Sequence, residues 1–390
     1  MSDRECRADR ICHEGTCRFL EDVQAERTQR VLVAEASEAD DEDEAPTASA
    51  PVERAQFMGG PRHTGRLAAI GPTSAPTERW AHSTSARIFA SPIVHEGAVY
   101  VGSLDGRLTA LSTEGELRWR YVAADKIYAT VAVTEGGDLI VGAMDGQLAR
   151  LRAGGDVAWE LELGAEIDAS ATLGADGTIY VSADGLYAVT PGGAVRWHAA
   201  TAAHVRSAPA IHPSGAIIVG TTGGHVLAID PNGEVIWRAE AGSSVDGAVS
   251  IADDGTIYLG TDLGHVLALA ADGAELWRYE TGDDVRATPA IAPDGAVIIG
   301  SYDRHLYAIE SDGTLRWRVP TRGRIRASAR IDAAGTIYVG SQDDHLYAIS
   351  PSGDVLWRHN LGQDVDSTVA LDDDGTLYVG ADDRALHALR

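Results

Sequence analysis

The chain has 390 residues, 44% of them apolar and 23% charged, and carries a formal net charge of −26. That apolar content can fill a sizeable core, while a surface so acidic repels nucleic acid and anionic lipid and argues against both as partners. No run of apolar residues is long enough to span a bilayer, so no transmembrane segment is expected, and the 43 glycines point to many tight turns.

The opening residues, Met1 to Glu5, are polar and lack the apolar core of a signal peptide. All three cysteines, Cys6, Cys12 and Cys17, fall within residues 1–30. An odd cluster at one terminus reads either as a disulfide module lacking its fourth member, with the true start upstream, or as a tail with free thiols. A zinc site including His13 is a third reading, but the spacing matches no common zinc module. A short helix is expected around Phe19 to Val23. Residues 31–53 read as an acidic disordered linker: Glu35 to Glu44 holds seven acids, and Pro46 and Pro51 follow among small residues.

From residue 54 to 390 the chain repeats. Its tryptophans stand at Trp80, Trp119, Trp159, Trp197, Trp237, Trp277, Trp317 and Trp357, at intervals of 38 to 40 residues. Each interval holds apolar runs rich in Val, Ile, Leu and Tyr, which is strand chemistry. Asp-Gly or Glu-Gly turns separate them, as at Asp294-Gly295 and Asp312-Gly313, and supply the positive φ of a tight hairpin. Each repeat is therefore a four-stranded antiparallel meander, and radial stacking of such sheets makes a propeller. The tryptophans are the expected wedges between blades, each contributing up to about 4–6 kcal/mol if fully buried. The last repeat stops at Arg390 without a fourth strand, and Pro76 to Trp80 supplies one from the other end. The expectation is all-β: an eight-bladed β-propeller whose N-terminal strand completes the last blade.

These residues resemble the PQQ-like propeller repeat, with its Val-Gly-Ser, Leu-Tyr-Ala-Ile and Trp-Arg signatures and the entry segment Phe57-Met58-Gly59-Gly60-Pro61-Arg62-His63-Thr64-Gly65-Arg66. A WD40 repeat fits less well, because no tryptophan is followed by Asp. The resemblance implies two branches. Quinoprotein dehydrogenases of this family bind PQQ with Ca²⁺ beside a vicinal disulfide. Residues 54–390 hold no cysteine and no insertion that would build such a pocket, so no catalytic residue, cofactor or metal is assigned. The non-catalytic branch is similar to the outer-membrane assembly lipoprotein BamB. It implies a monomeric scaffold with a protein partner, periplasmic, secreted or outer-membrane-associated in a bacterium rather than cytoplasmic. The alternatives kept open are a small-ligand or glycan-binding propeller and a degenerate PQQ-dependent dehydrogenase.

One frame position varies while its neighbours stay constant. It runs Phe89, Tyr128, Asp168, Arg206, Asp246, Arg286, Arg326, Asp366, at the start of each inner strand. In a propeller this places eight side chains around one mouth of the central channel. Phe89 and Tyr128 read as an aromatic anchor for a partner, and the arginines as acceptors of acidic groups. The alternative for the charges is mutual neutralisation of 168 with 206, 246 with 286 and 326 with 366, each pair contributing about 0–1 kcal/mol. His225, His265, His305 and His345 recur every forty residues, but strand spacing sets equivalent positions too far apart to share a metal. The Asp-rich turns, such as Asp372-Asp373-Asp374-Gly375, lack the further ligands of a calcium loop.

Overall fold

The computed structural model describes residues 55–390, and of the earlier residues the backbone of strands Arg10–His13 and Thr16–Phe19. Two compact units divide between Val52 and Glu53.

In the first unit the two strands pair antiparallel, with Cys12 opposite Cys17 and Arg10 opposite Phe19. Phe19 thus ends a strand instead of opening a helix; residues 20–23 lie outside the described residues, as do Cys6 and the linker at 31–53.

The second unit is an eight-bladed β-propeller, each blade a sheet of four antiparallel strands in sequential order. The inner strands of blades 1 to 8 begin at Ile93, Ala132, Thr172, Ala210, Ser250, Ala290, Arg330 and Ala370. Blade 6 shows the pattern: Ala290–Ile291, Val297–Gly300, His305–Ile309, Leu315–Pro320. The second and third strands are buried almost throughout, whereas the outer strand is mostly exposed or half-buried. Blade 8 is closed by the N-terminal strand Glu78–Ser83, which pairs with Ala385–Leu389. Thr77 and Arg390 exchange main-chain hydrogen bonds of 2.8 and 2.9 Å at the seam.

The tryptophans are not the fully buried wedges expected from their spacing. Only Trp357 is buried (6% exposed), and the other seven are half-buried. Each of the other seven rings lies over the turn between third and outer strands of the next blade, and its Nε1–H donates to a turn carbonyl. Trp237 donates to Ala271 O at 3.0 Å and Trp277 to Ser311 O at 2.8 Å. Indole carries a polar N–H that needs a partner, so it suits a boundary between apolar contact and a turn. Trp357 has no such turn to reach, because the chain is cut there, and it donates to Pro72 O at 2.8 Å instead.

The gap between blades nearer the axis is filled by small-into-large packing. Ile325, fully buried, lies against Gly300 of the preceding blade so closely that a Cβ there would sit 2.1 Å from its Cγ2. The same Val or Ile precedes every one of the eight variable mouth residues, from Ile88 to Val365, and each is 0% exposed. A buried β-branched anchor one residue upstream is what fixes the direction of each mouth side chain.

Candidate functional site

Three layers follow one another along the channel. At the mouth lie the eight variable residues. Two residues further in, hydroxyl side chains link blade to blade: Thr130 Oγ1 accepts from Ser91 N, Ser170 Oγ from Thr130 N, and Ser328 Oγ from Thr288 N, all at 2.9–3.0 Å. Five residues beyond the mouth the channel meets the segment that begins at Ala55. That segment crosses six blades and accepts a hydrogen bond from the same inner-strand position in each. Val133 N donates to Ala55 O, Leu173 N to Gln56 Oε1, Ile211 N to Pro61 O, Ile251 N to Arg62 O, Ile291 N to Thr64 O and Ile331 N to Gly65 O, at 2.7–3.0 Å.

His63 sits within this plug. Its Nδ1 lies 3.0 Å from Val249 O, its carbonyl accepts from Ser250 Oγ at 2.9 Å, and Phe57 packs edge-on at 5.5 Å. Complete burial drives its pKa down to about 4, against a smaller opposing effect of the Val249 bond. The entry residues were legible only as a family lead-in. Their function as a stopper across the channel depends on contacts with residues more than a hundred positions away.

The eight mouth residues form two contact groups. Phe89 and Tyr128 lie with ring centroids 5.7 Å apart, and the Arg326 guanidinium covers Phe89 at 4.6 Å. Arg326 also reaches Asp366 at 3.9 Å. The second group is a chain of charges: Asp168 to Arg206 at 3.4 Å, Arg206 to Asp246 at 3.8 Å, Asp246 to Arg286 at 4.0 Å. Arg286 is more tightly held by Asp262 at 2.9 Å and Asp284 at 3.1 Å. Seven of the eight are half-buried, and Arg206 is exposed.

Burial dominates the carboxylates here. Asp366 is pushed up to about 6, with Arg326 and a hydrogen bond from Gln342 pulling the other way. Asp168 is raised by burial too, despite the nearby His204 and Arg206. The ring carboxylates sit on blades 3, 5 and 8, none on adjacent blades, and each faces an arginine, so they do not converge on a common cation. No group of three or more His, Cys, Asp or Glu side chains is arranged for a metal among the described residues.

Sequence reasoning missed a second circle of mouth residues, on the turn between second and third strands. In seven blades their main-chain N–H groups bond to the residue two before the variable position, as Tyr302 N to Asp284 O at 2.8 Å and Gln342 N to Arg324 O at 2.8 Å. Tyr302 lies beneath two guanidinium groups, Arg286 at 5.4 Å and Arg324 at 5.2 Å. The available signal was variation at this turn position from repeat to repeat.

The recurring histidines serve their own blades. His305 Nδ1 lies 3.1 Å from Asp303 O, His345 Nδ1 2.5 Å from Asp343 O, His225 pairs with Glu240 at 3.2 Å, and His265 contacts Arg278 at 3.2 Å. In the Asp372–Asp374 turn, Asp374 accepts from Thr376 N and pairs with Arg79 at 3.3 Å.

The model of the family described as outer membrane protein assembly factor BamB matches residues 61–174, 145–230, 222–364 and 342–390, which together span the propeller. The chain belongs to that family. Among solved structures it is similar to BamB from Moraxella catarrhalis, at 19% identity and a TM-score of 0.68, covering 81% of this chain and 99% of that one. It is also similar to a europium-containing methanol dehydrogenase (14% identity, TM-score 0.70, 84% and 90% coverage). A third similar structure is the quinohemoprotein alcohol dehydrogenase from Comamonas testosteroni (13%, TM-score 0.74, 86% and 80%). At such identities these structures share the fold, which hosts both enzymes and a non-enzyme. No curated protein sequence matches the chain. No helix among the described residues is long and apolar enough to cross a membrane.

Proposed function

We propose that the propeller is a non-catalytic, monomeric scaffold that binds a protein partner through its open mouth. The setting is a bacterial envelope, in keeping with the family's description as an assembly factor. The observation that carries this reading is the half-exposed pair Phe89 and Tyr128, stacked on adjacent blades and covered on one side by Arg326. Aromatic and arginine side chains in one rigid cluster are the typical makings of an interface hot spot. A non-enzymatic role is supported by the charges of the mouth, which bind one another: the carboxylates that a quinone-bound cation would require each face an arginine instead.

The test is retention of proteins from the native extract on the immobilised full chain, beside a Phe89→Ala/Tyr128→Ala variant shown to melt at the same temperature. A protein held by the first and lost by the second supports the scaffold. Equal retention by both overturns the placement at the mouth. The aromatic pair also suits stacking against a sugar ring. Saturable oligosaccharide binding, abolished in the same variant and with no protein retained, would favour that second reading.

A further inference from the structure

Among the described residues the plug bonds to six of the eight blades. The equivalent inner-strand positions in the two remaining blades are Val94 in blade 1 and Leu371 in blade 8, by register with the second strand. Among the described residues neither main-chain N–H has an acceptor, and both side chains are half-exposed. Ile251 and Ile291, under the plug, are 0% exposed. Both positions open onto one cleft of about 450 Å³, bounded by the plug on its other side. That volume lies within the ~300–1,000 Å³ typical of ligand sites.

A second observation comes from Gln56. Its Oε1 caps Leu173, but its Nε2, in a side chain only 2% exposed and lining the same cleft, has no hydrogen-bond partner among the described residues. A buried amide donor without an acceptor costs about 1–3 kcal/mol. Among the described residues, two main-chain donors and one amide donor therefore border this cleft without an acceptor.

Charge specifies the occupant further. The guanidinium of Arg66, on the cleft wall, is already engaged by Asp253 at 3.0 Å and by the Ile291 and Ala292 carbonyls. Arg330 donates to the Gly65 and Arg66 carbonyls. The carboxylates of Glu96, Asp372 and Asp373 also line the cleft, and among the described residues none has a cation within ion-pair distance. Burial holds the Asp372 carboxyl above the usual range against the hydrogen bond from Asp373 N, with the neighbouring Asp374, Asp373 and Glu114 adding to the rise.

We infer that this cleft binds a short extended peptide carrying basic side chains, whose carbonyls accept from Val94, Leu371 and Gln56 while its cations meet Glu96, Asp372 and Asp373. It would continue across blades 8 and 1 the pattern that the plug makes across the other six, a form of strand addition. The site is independent of the mouth, which lies at the other end of the inner strands.

Hydrogen exchange of the full chain, read residue by residue by NMR, tests this. In the free protein the Val94 and Leu371 amides exchange at least tenfold faster than those of Ile251 and Ile291. The probe acetyl-Ala-Lys-Ala-Arg-Ala-amide slows both saturably, and acetyl-Ala-Glu-Ala-Glu-Ala-amide does not. A Glu96→Gln/Asp372→Asn variant melts normally and binds the basic probe about tenfold more weakly. Two results would overturn the inference. One is equal protection of all four amides in the free chain, which would mean that its own backbone already covers the cleft. The other is binding of the basic probe with no slowing at Val94 and Leu371.

Discussion

Gly273 has φ of +86°, and a Cβ there would lie 2.7 Å from the Trp237 ring of the preceding blade. Two costs coincide at this residue, a left-handed backbone and the loss of a tryptophan's seat. Gly273→Ala is expected to destabilise the propeller by about 1–3 kcal/mol. Gly136, with nothing within 4 Å of its Cβ position, is the control. Gly136→Ala should change stability by less than about 0.5 kcal/mol. Urea unfolding of both variants checks the pair, and equal losses would mean that the tryptophan seat contributes nothing.

Two buried titratable groups act on stability in opposite directions. Unfolded His63 takes up a proton near pH 6.5, while the folded residue resists until about 4. The unfolded state therefore binds more protons in that window, and stability falls as pH drops through it. Asp366 behaves inversely: the folded residue holds its proton up to about 6, the unfolded one only to 3.8, so stability rises as pH falls between those values. Each effect is of order 3 kcal/mol, so between pH 6 and 4 they largely offset. Asp366→Asn removes one side of the balance. Its stability relative to the native chain should fall on going from pH 7 to pH 4.5, as measured by urea midpoints. No change in that difference would show that Asp366 titrates normally.

At the scale of the element, the segment from Ala55 to Ser83 has two duties. Its first part stops the channel, and its last strand completes blade 8. His387, 5% exposed, is held between Glu78 of that strand at 2.7 Å and Asp383 at 3.0 Å, so the seam also carries a buried polar contact. Deleting residues 54–85 should expose Ala385–Leu389 as a bare edge, lower the melting temperature and promote association. A monomeric product with unchanged melting, by light scattering and calorimetry, would contradict closure by this strand. The strands themselves were readable because short apolar runs rich in Val, Ile, Leu and Tyr, followed by a turn ending in Gly, recur eight times. The closing strand was readable because the last repeat lacks one. The tryptophans were misread, since spacing reveals that a residue recurs but not how deeply it lies.

For the whole molecule, repetition in sequence becomes rotation about an axis, so a position that varies within a constant frame becomes a ring. That is why the eight variable positions could be picked out without coordinates. Their interactions could not. Neighbours in the ring are about forty residues apart in sequence, and Arg326 covers Phe89 of blade 1 as well as meeting Asp366 of blade 8.

The sequence alone determined the blade, the number of blades, the manner of closure and the positions that vary within a constant frame. Each follows from a local period, and a local period is a property of consecutive residues. Only the tertiary structure decided which charges pair, that the described entry segment bonds to six of the eight blades, and that seven of the eight tryptophans seat on a neighbour's turn. Those outcomes depend on distances between residues with no sequence relation, fixed by packing across the ring.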